Sequence, residues 1–544
     1  MDEASSRLLL SGNEAVALGA LHASACRGIG YPGTPSTEIL EAFSALGGAA
    51  EWAPNEKVAA EVGLGVAFAR ARVLVTMKHV GMNVASDLLF TAAYSGISGG
   101  YVFACADDPG MASSQNEQDT RRYGVAAGVP VLEPADSQEA YDFTRLAFDV
   151  SERWGLPVIL RLTTRVSHSY GVVTPRAPLA RAVPAEYNTP REERVMIPAH
   201  ARGAHRRLRA KLAEIALWND REGPNVVFSG RGDTGIVTSG VASMHAREAA
   251  PGAPVLKLGM THPLPLETVR RFADSVDDCI ALEEGDPWLE ESLLIARIRT
   301  RRVPEGFRFG EMTVEKAAAI LEGANPAALS APLPGKPPQL CQGCPHRATF
   351  EILRKLHCIV AGDIGCYTLG ALPPIATLDI QICMGSSIGI GLGLRHALPE
   401  AEARRVVSVI GDSTFIHSGI TGLVEMVYNP PPTGHVVLVL DNETTAMTGL
   451  QEHPGTGRSL DHRPAHRVWI ESVARGVGLE HVHVLNPRKD AARLESLLRE
   501  ALQSNALSFF VVREPCLLAL KARKEDDAAG AACGGGAGTP APQE

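Results

Sequence analysis

An α/β fold of several domains, built on parallel sheets, is the architecture this sequence predicts, and three observations predict it. Short continuous apolar runs recur along the chain: RVLVTM (72–77), YVFACA (101–106), PVIL (157–160), RVVSVIGD (405–412), HVVLVLDN (435–442) and FFVVRE (509–514). Each has the pattern of a parallel strand buried on both faces, not the alternation of a half-exposed one. Ala-rich stretches of helical period, about 10 to 15 residues long, fill the spaces between them, which is the spacing of βα units. Finally, 544 residues exceed what one core holds, so two to four domains are expected.

Composition narrows the class of protein. Hydrophobic residues make up 45% and charged residues 21%, ordinary values for a globular chain. A formal net charge of −9 argues against a general nucleic-acid binder. No apolar run approaches the roughly 18 residues of a membrane helix. The opening MDEASSRLLL places two acids before its first base, unlike a secretory signal. These features lead us to expect a soluble cytoplasmic protein, whose ten cysteines are then reduced.

The chain divides at changes in composition. Residues 1–175 form a first block of strands and helices. Residues 176–224 read as a linker holding one basic helix, HARGAHRRLRAKL; it is either a solvated surface helix or a site for substrate phosphates. Residues 225–325 form a second block that opens with a strand and a Gly-rich turn, NVVFSGRGDTGIVTSG. A Pro/Ala linker at 326–339 leads to a third block, 340–520. The tail, 521–544, is rich in Gly, Ala and Pro and reads as disordered, with Cys533 inert.

The third block carries the clearest chemistry. Gly411 and Asp412 end one strand, and Asn442 ends the next strong one. Both then stand at the carboxyl ends of parallel strands, where open α/β sheets bind ligands. An Asp carboxylate and an Asn amide oxygen are hard ligands that, with substrate phosphates, suit Mg²⁺. Gly411 permits close backbone approach to a phosphate, and Ser413 serves the helix start behind it. The same block opens with CQGCPHR (341–347), later has GDIGC with Cys366, and closes on VVREPC with Cys516. By ligand type alone, these cysteines fit zinc or an iron–sulfur cluster. Cys358 and Cys383 lie in apolar runs and are expected in the core.

These motifs together resemble a known family. GD, about 30 residues and then N is similar to the magnesium and diphosphate motif of thiamine diphosphate enzymes. GDSTFIHSGITGLVEMVYN and LDNETTAMTGLQEHPGTG resemble the alpha subunits of the indolepyruvate:ferredoxin oxidoreductase family, among the 2-oxoacid:ferredoxin oxidoreductases. GYPGTPSTEI, NEKVAAEVGLGVAFARARVLVTMKHVGMN and ADDPGMASSQNEQD, in the first block, resemble the same family independently. The resemblance implies a pyrimidine-binding first block, a transketolase-C-terminal-like second and a diphosphate-binding third.

It also implies roles. Asp412 and Asn442 match side-chain Mg²⁺ ligands, and Thr444 matches a backbone-carbonyl ligand. Gly385, Ser386 and His346 join Gly411 and Ser413 as expected cofactor contacts. Glu56 aligns with the glutamate that meets the aminopyrimidine ring, where a carboxylic acid shifts the tautomer so that the amino group can act as a base. Glu61 reads as a helical surface acid. Thr34 matches a substrate contact. Lys78 and His79, after a buried-type strand, either meet the substrate carboxylate or the coenzyme A phosphates, or face solvent on a loop. No counterpart is found of the arginine that grips pyruvate in pyruvate-specific relatives, which favours another substrate.

Cys341, Cys344, Cys366 and Cys516 match the family's ligands to one [4Fe–4S] cluster beside the thiamine ring. The family's following ferredoxin-like domain has no match here, since only Cys533 follows Cys516. At most one cluster is then expected in this chain, with an unnamed electron acceptor. The implied activity is oxidative decarboxylation of an aryl 2-oxoacid with coenzyme A, together with a smaller beta subunit in a hetero-oligomer. A non-oxidative thiamine-dependent lyase and a non-catalytic Cys₄ zinc or assembly subunit are the rival readings.

Overall fold

The structure, a computed structural model, describes residues 7–180, 186–187, 189–326 and 339–523. Cys533, and most of the 326–339 and 521–544 segments, lie outside the described residues. The chain forms two compact units, residues 1–333 and 334–544.

In the first unit the strands are β1 (Leu8–Ser11), β2 (Ala25–Gly30), β3 (Ala50–Trp52), β4 (Arg72–Lys78), β5 (Tyr101–Asp107), β6 (Val131–Leu132), β7 (Val158–Thr163), β8 (Tyr170–Val173), β9 (Val226–Phe228), β10 (Thr234–Ser239), β11 (Val255–Leu258), β12 (Met260–His262) and β13 (Asp278–Leu282). The main sheet runs β12-β6-β7-β5-β4-β2-β3. β4 and β5 are buried at every position, as their continuous apolar runs require. A smaller sheet, β13-β10-β11-β9, belongs to the 225–325 block, and β1 and β8 form a separate ribbon.

The 225–325 block also gives a strand to the first sheet. β12 pairs antiparallel with β6, Met260 opposite Leu132. Only Gly259 separates β11 from β12, and its bare α-carbon is needed. An added Cβ there would stand 2.1 Å from the Pro224 carbonyl and 2.8 Å from the Phe143 ring. The chain therefore passes from one sheet to the other within one residue.

A network of buried ion pairs lies at the strand ends, and one pair crosses between the two sheets. Arg121 is fully buried and reaches Glu283 at 2.8 Å. Arg161, on β7, reaches Asp107 at 2.6 Å and Glu133 at 3.2 Å. Glu283 follows β13, and Glu133 follows β6, so the arginines fill the crevice at the strand ends.

The basic stretch is a 25-residue helix, Pro198–Glu222, that buries Ala204, Leu208, Ile215 and Asn219 and leaves most of its charges outward. Among the described residues, no helix is long and apolar enough to cross a membrane.

The second unit is a five-stranded parallel sheet of β14 (Ile359–Ala361), β15 (Val406–Gly411), β16 (His435–Asp441), β17 (His481–Leu485) and β18 (Leu507–Arg513), ordered β14-β15-β16-β18-β17. Alternate residues feed two separate cores. Val407, Val409, Val436, Leu438 and Phe510 pack on one face. Ile410, Val437, Val439, Phe509 and Val511 pack on the other. This is why the runs read as unbroken apolar stretches. β15 and β16 are neighbours, Gly411 opposite Leu440, so Asp412 and Asn442 leave the same edge of the sheet.

One expectation about the core is corrected. Cys383 is exposed, and Ile382 beside it is 57% exposed. The apolar run there makes only an isolated bridge, Ile380 to Ala361, before the chain turns at Gly385 with φ +86°. With no strand to bury it, the run crosses the surface. Cys358 is half-buried against the core.

Candidate active site

In the second unit, β15 ends on Gly411, and Asp412 opens a helix that continues through one π-helical turn, Phe415–Gly419. Such turns often accompany functional sites. Asp412 is 3% exposed and richly held. Its carboxylate accepts from the N–H groups of Ser413 and Glu443, each at 2.9 Å, and lies 3.2 Å from Nε2 of His453. The Gly455 N–H donates to Nδ1 of His453 at 3.1 Å, so the ring proton sits on Nε2 and donates to Asp412. Burial pushes the Asp412 carboxyl up, but His453 and the Ser413 N–H outweigh it and hold the group below the usual carboxylate range. Asp441 stands beside it. Burial first, and then the Asp412 charge, push its carboxyl up to about 7, against the pull of Arg513.

The turn after β16 wraps around Asp412. Glu443 takes φ +58°, a costly conformation for a side-chain-bearing residue, and this aims its N–H at Asp412. Oδ1 of Asn442 accepts from the Thr444 N–H at 3.2 Å, and Thr445 Oγ1 donates to Ser413 Oγ at 3.0 Å. One carboxylate and one amide oxygen thus form a hard-oxygen corner, the donor type that Mg²⁺ takes together with phosphate oxygens.

Around this corner, two residues absent from our sequence reasoning prove central. His453 lies in a loop, within a motif quoted only for its family likeness. Asp363 lies in GDIGC, three residues before Cys366. It accepts from the N–H groups of Gly385 at 2.7 Å and Ser387 at 3.0 Å, capping the helix Ser386–Ala397. Burial pushes its carboxyl up to about 6. Ser386 Oγ donates to the Cys383 carbonyl at 2.7 Å. The bare α-carbon of Gly411 faces Tyr367, whose ring would lie 2.8 Å from an added Cβ.

Cys341, Cys344, Cys366 and Cys516 line one pocket of about 70 Å³ with Leu340, Leu369, Leu517 and Leu518. His346 and Asn442 form part of the same wall. The Cys516 N–H donates to the Asn442 carbonyl at 2.9 Å, which ties the last cysteine to the hard-oxygen corner. Burial, then the charges of the other three cysteines, push Cys366 up to about 12. Among the described residues no three His, Cys, Asp or Glu side chains are arranged to hold a metal ion. Tetrahedral zinc draws four sulfurs to about 2.3 Å from one centre, whereas an iron–sulfur cube takes each thiolate at a separate iron. The four thiols are donors of the kind that either group takes.

In the first unit, Asn55 caps the helix Glu56–Phe68 by accepting from the Val58 N–H at 2.9 Å, which places Glu56 in the first turn at 4% exposure. Glu61 is exposed and paired with Lys57. Lys78 and His79 are both buried, not on a solvent-facing loop. Lys78 Nζ donates to the Ser113 carbonyl at 3.1 Å, and Ser113 Oγ donates to the Thr34 carbonyl at 3.3 Å. Burial lowers the Lys78 pKa, opposed by the charges of Asp108 and Glu56. His79 Nε2 lies 3.0 Å from the Asn116 carbonyl. Thr34, Glu56 and Lys78 thus gather at the carboxyl ends of β2, β3 and β4. Asp108 and Ser113, not singled out from sequence, brace them.

Residues 19–204 match the family described as pyruvate flavodoxin/ferredoxin oxidoreductase, thiamine diP-bdg. Residues 363–512 match the thiamine pyrophosphate enzyme, C-terminal TPP binding domain. Fold and site together define a thiamine diphosphate-dependent 2-oxoacid oxidoreductase. Over 96% of its length the chain is 40% identical to the indolepyruvate oxidoreductase subunit IorA of Archaeoglobus fulgidus, covering 89% of that protein. To the same subunit from Methanothermobacter thermautotrophicus it is 38% identical over 94% of its length, covering 87%. The chain belongs to the indolepyruvate oxidoreductase IorA family.

Proposed function

We propose that the chain carries out oxidative decarboxylation of an aryl 2-oxoacid of the indolepyruvate type with coenzyme A, giving an acyl-CoA and CO₂. Electrons leave singly by way of a [4Fe–4S] cluster to an external acceptor, and a smaller second subunit completes the enzyme. The observation that carries this reading is the shared wall of the cysteine pocket, where Asn442 and His346 stand with the four thiols.

Asp412, Asn442 and the Thr444 carbonyl would hold Mg²⁺, with Gly411, Ser413, Gly385 and Ser386 bordering the diphosphate. Thiamine diphosphate supplies a carbon nucleophile for the keto group and a sink for the electrons released with CO₂. Cys341, Cys344, Cys366 and Cys516 would hold the cluster, which supplies a one-electron acceptor. Glu56 would meet the aminopyrimidine N1′; its place in the helix's first turn fixes the carboxyl. Lys78 gives positive charge, and Thr34 a hydroxyl, to the substrate carboxylate or the coenzyme A phosphates. His79 braces that corner through the Asn116 carbonyl.

Anaerobic iron and sulfide analysis, with electron paramagnetic resonance after adding indolepyruvate and coenzyme A, tests the reading. We expect about four irons per chain and a signal that needs both the 2-oxoacid and thiamine diphosphate. Zinc or no metal refutes the cluster. Iron without a substrate-dependent signal refutes the oxidative reaction.

A further inference from the structure

His346 stands where the metal corner meets the cysteine pocket. It lines the cysteine pocket beside Cys344. Its ring is 4% exposed and meets Tyr367 edge-on, with centroids 6.2 Å apart. Nε2 lies 3.4 Å from Nδ2 of Asn442. An amide nitrogen only donates, so this imidazole nitrogen accepts.

The other end of the Asn442 amide is equally constrained. The Thr444 N–H can only donate, so the atom it meets at 3.2 Å is the oxygen. The two contacts therefore agree on which way the amide points.

We propose that His346 is a positioning residue for the metal: its ring holds the Asn442 amide so that Oδ1, and not the –NH₂ group, faces the cation. The inference rests on the reading that Asp412 and Asn442 bind a divalent ion. A flipped amide would put a hydrogen-bond donor against that ion, where it cannot ligate. Removing an outer partner of this kind typically costs about 10–100-fold in metal affinity.

The test measures Mn²⁺ binding to the full chain with thiamine diphosphate, from the paramagnetic resonance of free Mn²⁺, so that its readout is affinity and not turnover. His346→Phe cannot accept and is expected to weaken Mn²⁺ by about 10–100-fold. His346→Gln keeps an accepting oxygen and is expected to restore most of the affinity. Asn442→Asp has two equivalent oxygens and needs no orientation, so His346→Phe should cost far less in that background. If the Phe variant does not fold, His346→Leu replaces it in both comparisons. Wild-type affinity in His346→Phe, equal losses in the Phe and Gln variants, or an undiminished loss in the Asn442→Asp background overturns the inference. Failure of the unaltered protein to bind Mn²⁺ overturns instead the functional reading beneath it.

Discussion

Replacing Gly81 by Ala should slow the enzyme without destabilising it. Gly81 lies in the first turn of the helix His79–Ser95, against Glu56. An added Cβ would stand 2.6 Å from Cγ, 2.7 Å from Oε1 and 2.9 Å from Cδ of Glu56. Carbon atoms settle at about 3.5–4.0 Å, so the glutamate must retreat by about 1 Å. Glu56 is 4% exposed, so it has no open solvent to swing into. A displacement of about 1 Å costs on the order of 10²-fold in rate, and complete loss of acid–base help about 10²–10⁴-fold. Turnover should therefore fall by about 10²-fold or more. Ala is better than Gly in a helix by about 0.8–1.0 kcal/mol, which offsets the strain, so the melting temperature should change little. The assay pairs steady-state turnover of the 2-oxoacid with thermal unfolding and a thiamine diphosphate titration. Full turnover in Gly81→Ala would refute the role of Glu56. A parallel loss of stability and cofactor binding would show that Gly81 acts through packing alone.

Other expectations follow from the same geometry. Glu56→Gln should bind thiamine diphosphate normally and lose turnover by about 10²–10⁴-fold, while Glu61→Gln, on the exposed side, should not; the reverse pattern in the kinetics would mean the helix is misassigned. Asp412→Ala should lose Mg²⁺-dependent thiamine diphosphate binding, and calorimetric titration showing unchanged affinity would refute the metal corner. Cys516→Ser should lower iron and sulfide in anaerobic protein, and full iron content would remove it from the ligand set. Arg161→Met leaves Asp107 and Glu133 short of a partner and should cost about 3–5 kcal/mol, read from the shift of the urea unfolding midpoint; an unshifted midpoint would mean the pairs contribute nothing.

Much of this was legible in the sequence because strands buried on both faces must be apolar throughout. That property located β4, β5, β7, β15, β16 and β18, and with them the strand ends that carry Asp412 and Asn442. The set of four cysteines came from the family resemblance, since residue type alone leaves zinc and an iron–sulfur cluster equally open. His453 and Asp363 were not, because each reaches the site from a loop by a hydrogen bond that no local pattern announces. Cys383 misled for the converse reason, since an apolar run of strand composition has no way to signal that it lacks a neighbouring strand. β12 was hidden too, as a three-residue strand shows no period and its partner lies far back in the chain.

The loan of β12 to the first sheet also bears on how the chain is made. Met260 comes 128 positions after Leu132, its partner (260 − 132). At about 5–20 residues per second, synthesis needs roughly 6–26 s to cover that interval. Throughout it β6 leaves the sheet with an open edge, a place where strands of other chains can pair. Arg121 meanwhile waits for Glu283, which emerges later still. Completion of the first sheet is therefore timed by translation of the middle block, and not by the order of the sheet's own strands.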